Sequence, residues 1–187
     1  MRQSRSAFGA DKHGPVLCLA AVLLALLVLP AHAENDQASV ESVKAGFVYN
    51  FVKLTVWPPT EGSTGSLRLC TLGRGVLNGQ LGRLQGRIVG GRDIQILERS
   101  VAKDWASCHI VFVSKEDGER VAEMLKQTAG VPVLTIGDVP DFAQQGGMIE
   151  LIERENKVRF SISLAAAQRS GIRLSSQLLK LAVRVWQ

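Results

Sequence analysis

Two short apolar stretches, "CHIVFVS" and "VPVLTIG", stand on either side of a segment with helical spacing over residues 115–128. Runs this short and this rich in Val, Ile and Phe read as strands, and strands alternating with helical stretches read as βαβ units. This unit constrains the fold more than any other feature, because a parallel sheet must carry helices on its faces. The segment before it agrees. "SLRLCTL" alternates and is apolar, the Gly-punctuated "RGVLNGQLGRLQGR" is weakly helical, and "DIQIL" is strand-like again. "GGMIELIERENKVRFSIS" departs from the pattern, since two strands flank the polar turn of Arg154, Glu155, Asn156 and Lys157. That is an antiparallel hairpin, placed at the sheet edge. The expected fold is a single α/β domain, a largely parallel sheet with flanking helices and an antiparallel edge hairpin.

The first 33 residues do not belong to this domain. Arg2, Arg5 and Lys12 precede the apolar run at 16–29, and Pro30 and Ala31-His32-Ala33 follow it. This is the order of a cleaved secretory signal peptide. The apolar run has 14 residues, and a membrane span needs about 20. Cleavage is expected after Ala33, leaving residues 34–187 as an exported, periplasmic domain of a length that suits one core. The leader takes away Arg2, Arg5 and Lys12 against Asp11, lowering the formal charge from +5 to +3. The remaining excess is scattered, without the dense basic run that tracks a phosphate backbone, so no nucleic-acid partner is expected.

An exported chain changes the meaning of cysteine. Beyond the leader only Cys70 and Cys108 remain, and an even count in an oxidising compartment favours a disulfide over two buried thiols. Closing a loop of about 38 residues would add about 3 to 4 kcal/mol in the chain-entropy account.

The two ends of the domain read as helical. In "VKAGFVYNFVKLTVWPPT" the residues Val40, Val43, Phe47, Phe51 and Leu54 recur at three and four, one apolar stripe on a helix over 39–56. Tyr49, Lys53 and Trp57 lie off that stripe, and Pro58-Pro59 ends the helix. At the other end, "LAAAQRSGIRLSSQLLKLAVRVW" makes two helical pieces broken at Ser170 and Gly171, with Ser175 or Ser176 capping the second and Leu178, Leu179, Ala182 and Val185 inward.

No catalytic constellation assembles from these residues. "GRGVLN" has Gly73 and Gly75 of a dinucleotide fingerprint but Asn78 in place of the third glycine, and Asp93 would begin a strand rather than end one. His109 is the sole histidine after the leader. Its neighbour Cys108 would point to the opposite face of a strand, so the two form no thiol pair. Ser114 lacks the G-x-S-x-G turn of a hydrolase nucleophile. Glu116, Asp117 and Glu119 suit a helix start, and no metal-ligand spacing is present. The expectation is a protein with no enzyme activity, no metal and no cofactor.

"VKAGFVYNFVKLTVWP", "CHIVFVS" and the stretch from "VPVLTIGDVPDFAQQGGMIELIERENKVRFSIS" to "LAAAQRSGIRLSSQLLKLAVRV" together resemble the YfiR family of exported proteins of Gram-negative bacteria. The most specific elements are the helix ending at Trp57-Pro58, the Gly146-Gly147-Met148-Ile149 lead into the hairpin, Arg159-Phe160, and the closing Leu178 to Ala182 segment. The resemblance implies a periplasmic regulatory binding protein that represses a membrane-bound diguanylate cyclase, and so cyclic di-GMP signalling, by binding the cyclase's periplasmic sensing domain. It implies an outer-membrane lipoprotein as a second partner, and a homodimer. The chain departs from the family in keeping only the Cys70 and Cys108 pair, and in having Ser163 where Asn is common. The alternative function is a periplasmic small-molecule-binding or carrier protein. For the partner-binding surface the sequence points to Ile172, Arg173 and Leu174, with Ser163 beside them. A short turn leaves apolar side chains next to a cation, unless Ile172 and Leu174 fold under to staple the last helix to the sheet.

Overall fold

The computed structural model describes residues 34–59, 65–72, 75–98 and 104–187, so the expected leader and part of the Gly/Ser loop before "SLRLCTL" lie outside the described residues. The first element is helix α1 (Glu34–Lys53). Its buried positions recur at three and four as an amphipathic helix requires, but the stripe is turned by one residue from the apolar one. Glu41, Lys44, Ala45, Val48, Phe51 and Val52 are buried, whereas Val43 is 46% exposed. A hydrophobic pattern cannot register a lysine and a glutamate at the centre of a buried face, and that is where the expectation for Val43 fails. The helix also stops sooner than 56. The Thr55 hydroxyl donates to the Phe51 carbonyl at 2.7 Å, which satisfies an acceptor left over at the helix end, and Thr55 and Val56 then form strand β1 (Thr55–Val56).

The βαβ reading sets the middle of the sheet. Strand β2 (Leu67–Thr71) leads to helix α2 (Val76–Gly82), a short strand β3 (Ile88–Val89), then β4 (Arg92–Glu98) and β5 (Ile110–Val113). The expected helix at 115–128 divides into a 3-10 turn at Lys115–Arg120 and helix α3 (Val121–Thr128), because Asp117 inside the turn has non-helical backbone angles (φ −110°, ψ 22°). Strand β6 (Leu134–Gly137) precedes the hairpin of β7 (Ile149–Arg154) and β8 (Lys157–Ser163). Among the described residues the main sheet has eight strands, from the outermost strand β10 (Arg184–Trp186) through β8, β7, β6, β5, β2 and β4 to β3. The pairs from β4 to β7 are parallel and β7–β8 is antiparallel. Two left-handed residues, Glu155 (φ 51°) and Asn156 (φ 57°), close the hairpin, the geometry a tight two-residue turn needs.

The C-terminal region differs from its sequence reading in two places, the expected turn at 172–174 and the end of the last helix. Helices α4 (Leu164–Arg169) and α5 (Ser176–Leu181) lie on either side of strand β9 (Arg173–Leu174), which pairs antiparallel with β1. Ser175 caps α5 by accepting from Leu178 N–H. Val185, expected on the buried face of that helix, belongs instead to β10, which pairs parallel with β8 and so takes the outermost place beside the hairpin. Residues 183–186 alternate Val, Arg, Val, Trp, and a free ladder edge on β8 is available to them, so tertiary pairing overrides the local helical pattern.

Each sheet face has its own core. Leu69, Ile110, Phe112, Leu134 and Ile136 pack with α1 and α2 on one face. Cys70, Val111, Val113, Trp105 and Met124 of α3 pack on the other. Cys70 and Cys108 are joined by a disulfide on this second face. Phe142, fully buried there, lies where only glycine leaves room: a Cβ at Gly147 would stand 2.1 Å from its ring, and one at Gly137 2.8 Å.

Candidate functional site

Beyond β6 and β7 at their carboxyl ends, the chain builds a charged cleft from three parts. The first is an ion cluster on α1. Lys44 Nζ lies 3.3 Å from Glu41, 3.3 Å from Asp138 and 2.9 Å from Glu153. Lys44, Glu41 and Asp138 have side chains no more than 6% exposed. Burial by itself would lower the Lys44 pKa, but the hydrogen bond to Glu153 and the charges of Asp138 and Glu41 outweigh it and hold the ammonium well above its usual range. Lys44 is therefore a permanent cation linking the helix, the end of β6 and the end of β7. The Lys115 N–H donates to the second Asp138 oxygen at 2.7 Å.

The second part is the turn between β6 and β7. Glu150, buried on β7, accepts from the Asp141 N–H at 3.2 Å, the Ala143 N–H at 3.3 Å and the Ser161 hydroxyl at 3.2 Å. These bonds supply acceptors for a turn that has no ladder partner. Glu150 is thus a structural clamp.

The third part is the outer face of the hairpin. Side chains alternate along a strand, so Leu151 and Phe160 turn to the core, where the Phe160 ring is 4.9 Å from Phe51 and 5.8 Å from Phe47. Ile152 and Arg154, with Arg159 and Lys157 opposite them, turn the other way. Arg184 of β10, level with Ser161, lies 4.8 Å over the Trp186 ring. These side chains line a cleft of about 1010 Å³, reached also by Lys44 and Asp138. Asp138, Glu150 and Glu153 in its lining are engaged, whereas Arg154, Lys157 and Arg159 are exposed and make no ion pair among the described residues. The cleft is suited to holding anionic groups at its rim.

The residues singled out from sequence lie elsewhere. Ile172 is 2% exposed and Leu174 9%, so the exposed apolar turn expected at 172–174 is not present. Leu174 pairs with Thr55, Arg173 alone of the three is exposed, and the two apolar side chains join the core as a staple. Ser163 is also buried, its hydroxyl accepting from Ala166 N–H to cap α4. His109 faces the Arg68 N–H at 3.1 Å and the Arg92 guanidinium at 2.8 Å. Burial first, then the charges of Arg92 and Arg68, push its pKa down to about 4. Ser114 is buried and donates to Asp117 at 3.3 Å. Gly75 comes so close that a Cβ there would stand 3.3 Å from the Ser114 hydroxyl. Asn78 is buried and donates to the Leu72 carbonyl at 2.6 Å, a structural role. Among the described residues, no group of three or more His, Cys, Asp or Glu is placed to hold a metal ion, and no helix is long and apolar enough to cross a membrane. The Lys44 cluster went unread in the sequence, although Lys44 falls three residues after Glu41 inside a buried stripe, the spacing of a helical ion pair.

Among solved structures the chain is similar to a conserved domain protein of Vibrio cholerae, at 9% identity and a TM-score of 0.49, over 75% of this chain and 59% of that one. The chain therefore spans less than two thirds of that protein's length. The family comparison is decisive. The profile described as YfiR/HmsC-like matches residues 41–183, from within α1 to the residue before β10, and the chain belongs to this family.

Proposed function

We propose that residues 34–187 form a periplasmic regulatory protein that represses a membrane-bound diguanylate cyclase by binding the periplasmic sensing domain of that enzyme. The observation that carries this reading is the family match over 41–183. The Cys70–Cys108 disulfide suits an oxidising compartment, and the residues that first suggested chemistry, His109 and Ser114, are occupied in structural contacts. In this reading residues 1–33 are a signal peptide removed after Ala33, an outer-membrane lipoprotein relieves the repression, and the protein works as a homodimer. Repression of this kind needs no reaction of the protein's own, since a ligand that prefers one state of the cyclase shifts its population.

The test is made in cells that carry a cyclic di-GMP reporter. Deleting the gene should raise cyclic di-GMP, restoring it should lower it, and crosslinking in intact cells should join the mature protein to a membrane cyclase. An unchanged reporter together with no crosslinked cyclase would overturn the reading. Intact mass of the periplasmic protein checks the cleavage site. The small-molecule carrier remains the alternative because the cleft is of ligand size. Native mass spectrometry of protein taken from the periplasm would reveal a retained ligand and favour it.

A further inference from the structure

We infer that the outer face of the β7–β8 hairpin, continued by β10, is a docking surface for an extended acidic segment of a partner polypeptide, one with carboxylates at alternate positions. Three observations lead there. The cations are arranged with a strand's own period. Lys157 and Arg159 follow each other on β8 two residues apart, and Arg184 stands level with Ser161, the next position in the same series. Two residues of strand advance about 6.7 Å, so the cations recur at the spacing of alternate side chains on any extended chain laid beside them. Arg154, opposite Lys157, doubles the charge at the first level.

The cations are also uncommitted. Lys157, Arg159 and Arg154 are exposed without ion pairs among the described residues, while the nearby carboxylates Glu150, Asp138 and Glu153 are held by backbone N–H groups, Ser161, Lys44 and Lys115. Arg184 is fixed over the Trp186 ring, so its guanidinium is already ordered before a carboxylate arrives, which lowers the entropy cost of binding it. Asp141 and Glu155 are the other acidic groups lining the cleft: Asp141 accepts from the Gln144 side chain, and Glu155 is in the hairpin turn.

A strand edge beside these cations is open. β8 pairs with β10 only over residues 161–163, so residues 157–159 have β7 on one side and no strand on the other among the described residues, and β10 is itself outermost. An open edge offers backbone donors and acceptors to an added strand. This favours an extended polypeptide over a small anion, which needs no edge, and over a bilayer, which would have to reach into a concave cleft. The inference rests on the regulatory reading only in taking the partner to be a protein.

The test uses the mature protein and a fluorescent peptide of about nine residues with Glu at alternate positions and Thr between, longer than the roughly 13 Å that the three cation levels span. The controls are a peptide of identical composition with its Glu residues in one block, inorganic phosphate, and phosphatidylglycerol vesicles. The alternating peptide should bind at low salt, weaken steeply as salt rises, and bind on the order of tenfold tighter than the block peptide. Lys157→Glu with Arg159→Glu should weaken it on the order of tenfold or more without moving the melting temperature, since both side chains are exposed. Equal affinity for the two peptides would overturn the proposal. So would full affinity in the double variant, or capture of vesicles or phosphate in place of the peptide. The cyclic di-GMP reporter separates the two readings. A protein that represses but binds no acidic peptide sinks the surface alone. One that binds the peptide while the reporter is indifferent to it leaves the surface standing and removes the cyclase.

Discussion

Replacing Lys44 by Met removes one cation and leaves three carboxylates around an apolar side chain of similar length. Two of them, Glu41 and Asp138, are 6% and 5% exposed and lose the ammonium 3.3 Å away, whereas Glu153 at 39% can turn to water. Removing one partner of a buried ion pair costs about 3–5 kcal/mol, because the remaining charge stays desolvated. In a domain of this size each kcal/mol moves the melting temperature by about 2–4 °C, so Lys44→Met should melt about 10 °C lower at neutral pH. Adding Glu41→Gln and Asp138→Asn to Lys44→Met should recover much of the loss at neutral pH. Circular dichroism melts of the single and triple variants at neutral pH measure both effects. A single variant within about 2 °C of the parent would refute the account of a buried ion cluster that ties α1 to the ends of β6 and β7.

Gly147→Ala places a methyl group 2.1 Å from the Phe142 ring; it should cost about 1–3 kcal/mol in urea unfolding, partly recovered by Phe142→Leu. Ile172→Asp buries an unpaired charge at a site 2% exposed and should destabilise on the order of 4 kcal/mol, whereas Arg173→Glu at its exposed neighbour should not; equal melts for the two would contradict the staple. His109, with a pKa near 4 in the folded state against about 6.5 unfolded, contributes stability that is complete above pH 6.5 and lost as pH falls toward 4, so His109→Gln should flatten the melting profile across that window. Breaking the Cys70–Cys108 bond by Cys70→Ala with Cys108→Ala should cost about 3–4 kcal/mol, and two alkylatable thiols in the unreduced parent would show that no bond forms in solution.

Period and punctuation carried the local structure into the sequence. "CHIVFVS", "VPVLTIG" and the hairpin around Glu155 and Asn156 had no competing conformation of comparable quality, so apolar runs and turn residues determined β5, β6, β7 and β8 without reference to the rest of the chain. The same holds for a serine cap at 175 or 176 and for the helical period of α1. What an isolated stretch of chain cannot contain is the identity of the neighbour it meets. The face of α1 was settled by carboxylates at positions 138 and 153, roughly a hundred residues away in sequence, which made burial of Lys44 possible and left Val43 outside. Residues 184–186 became a strand because the edge of β8 was free to pair with them. Ile172 and Leu174 went inside because β9 found β1. Each of these outcomes trades a local preference for desolvated charge pairing, ladder hydrogen bonds or core contact between distant segments, and those energies exist only once the tertiary structure has brought the segments together.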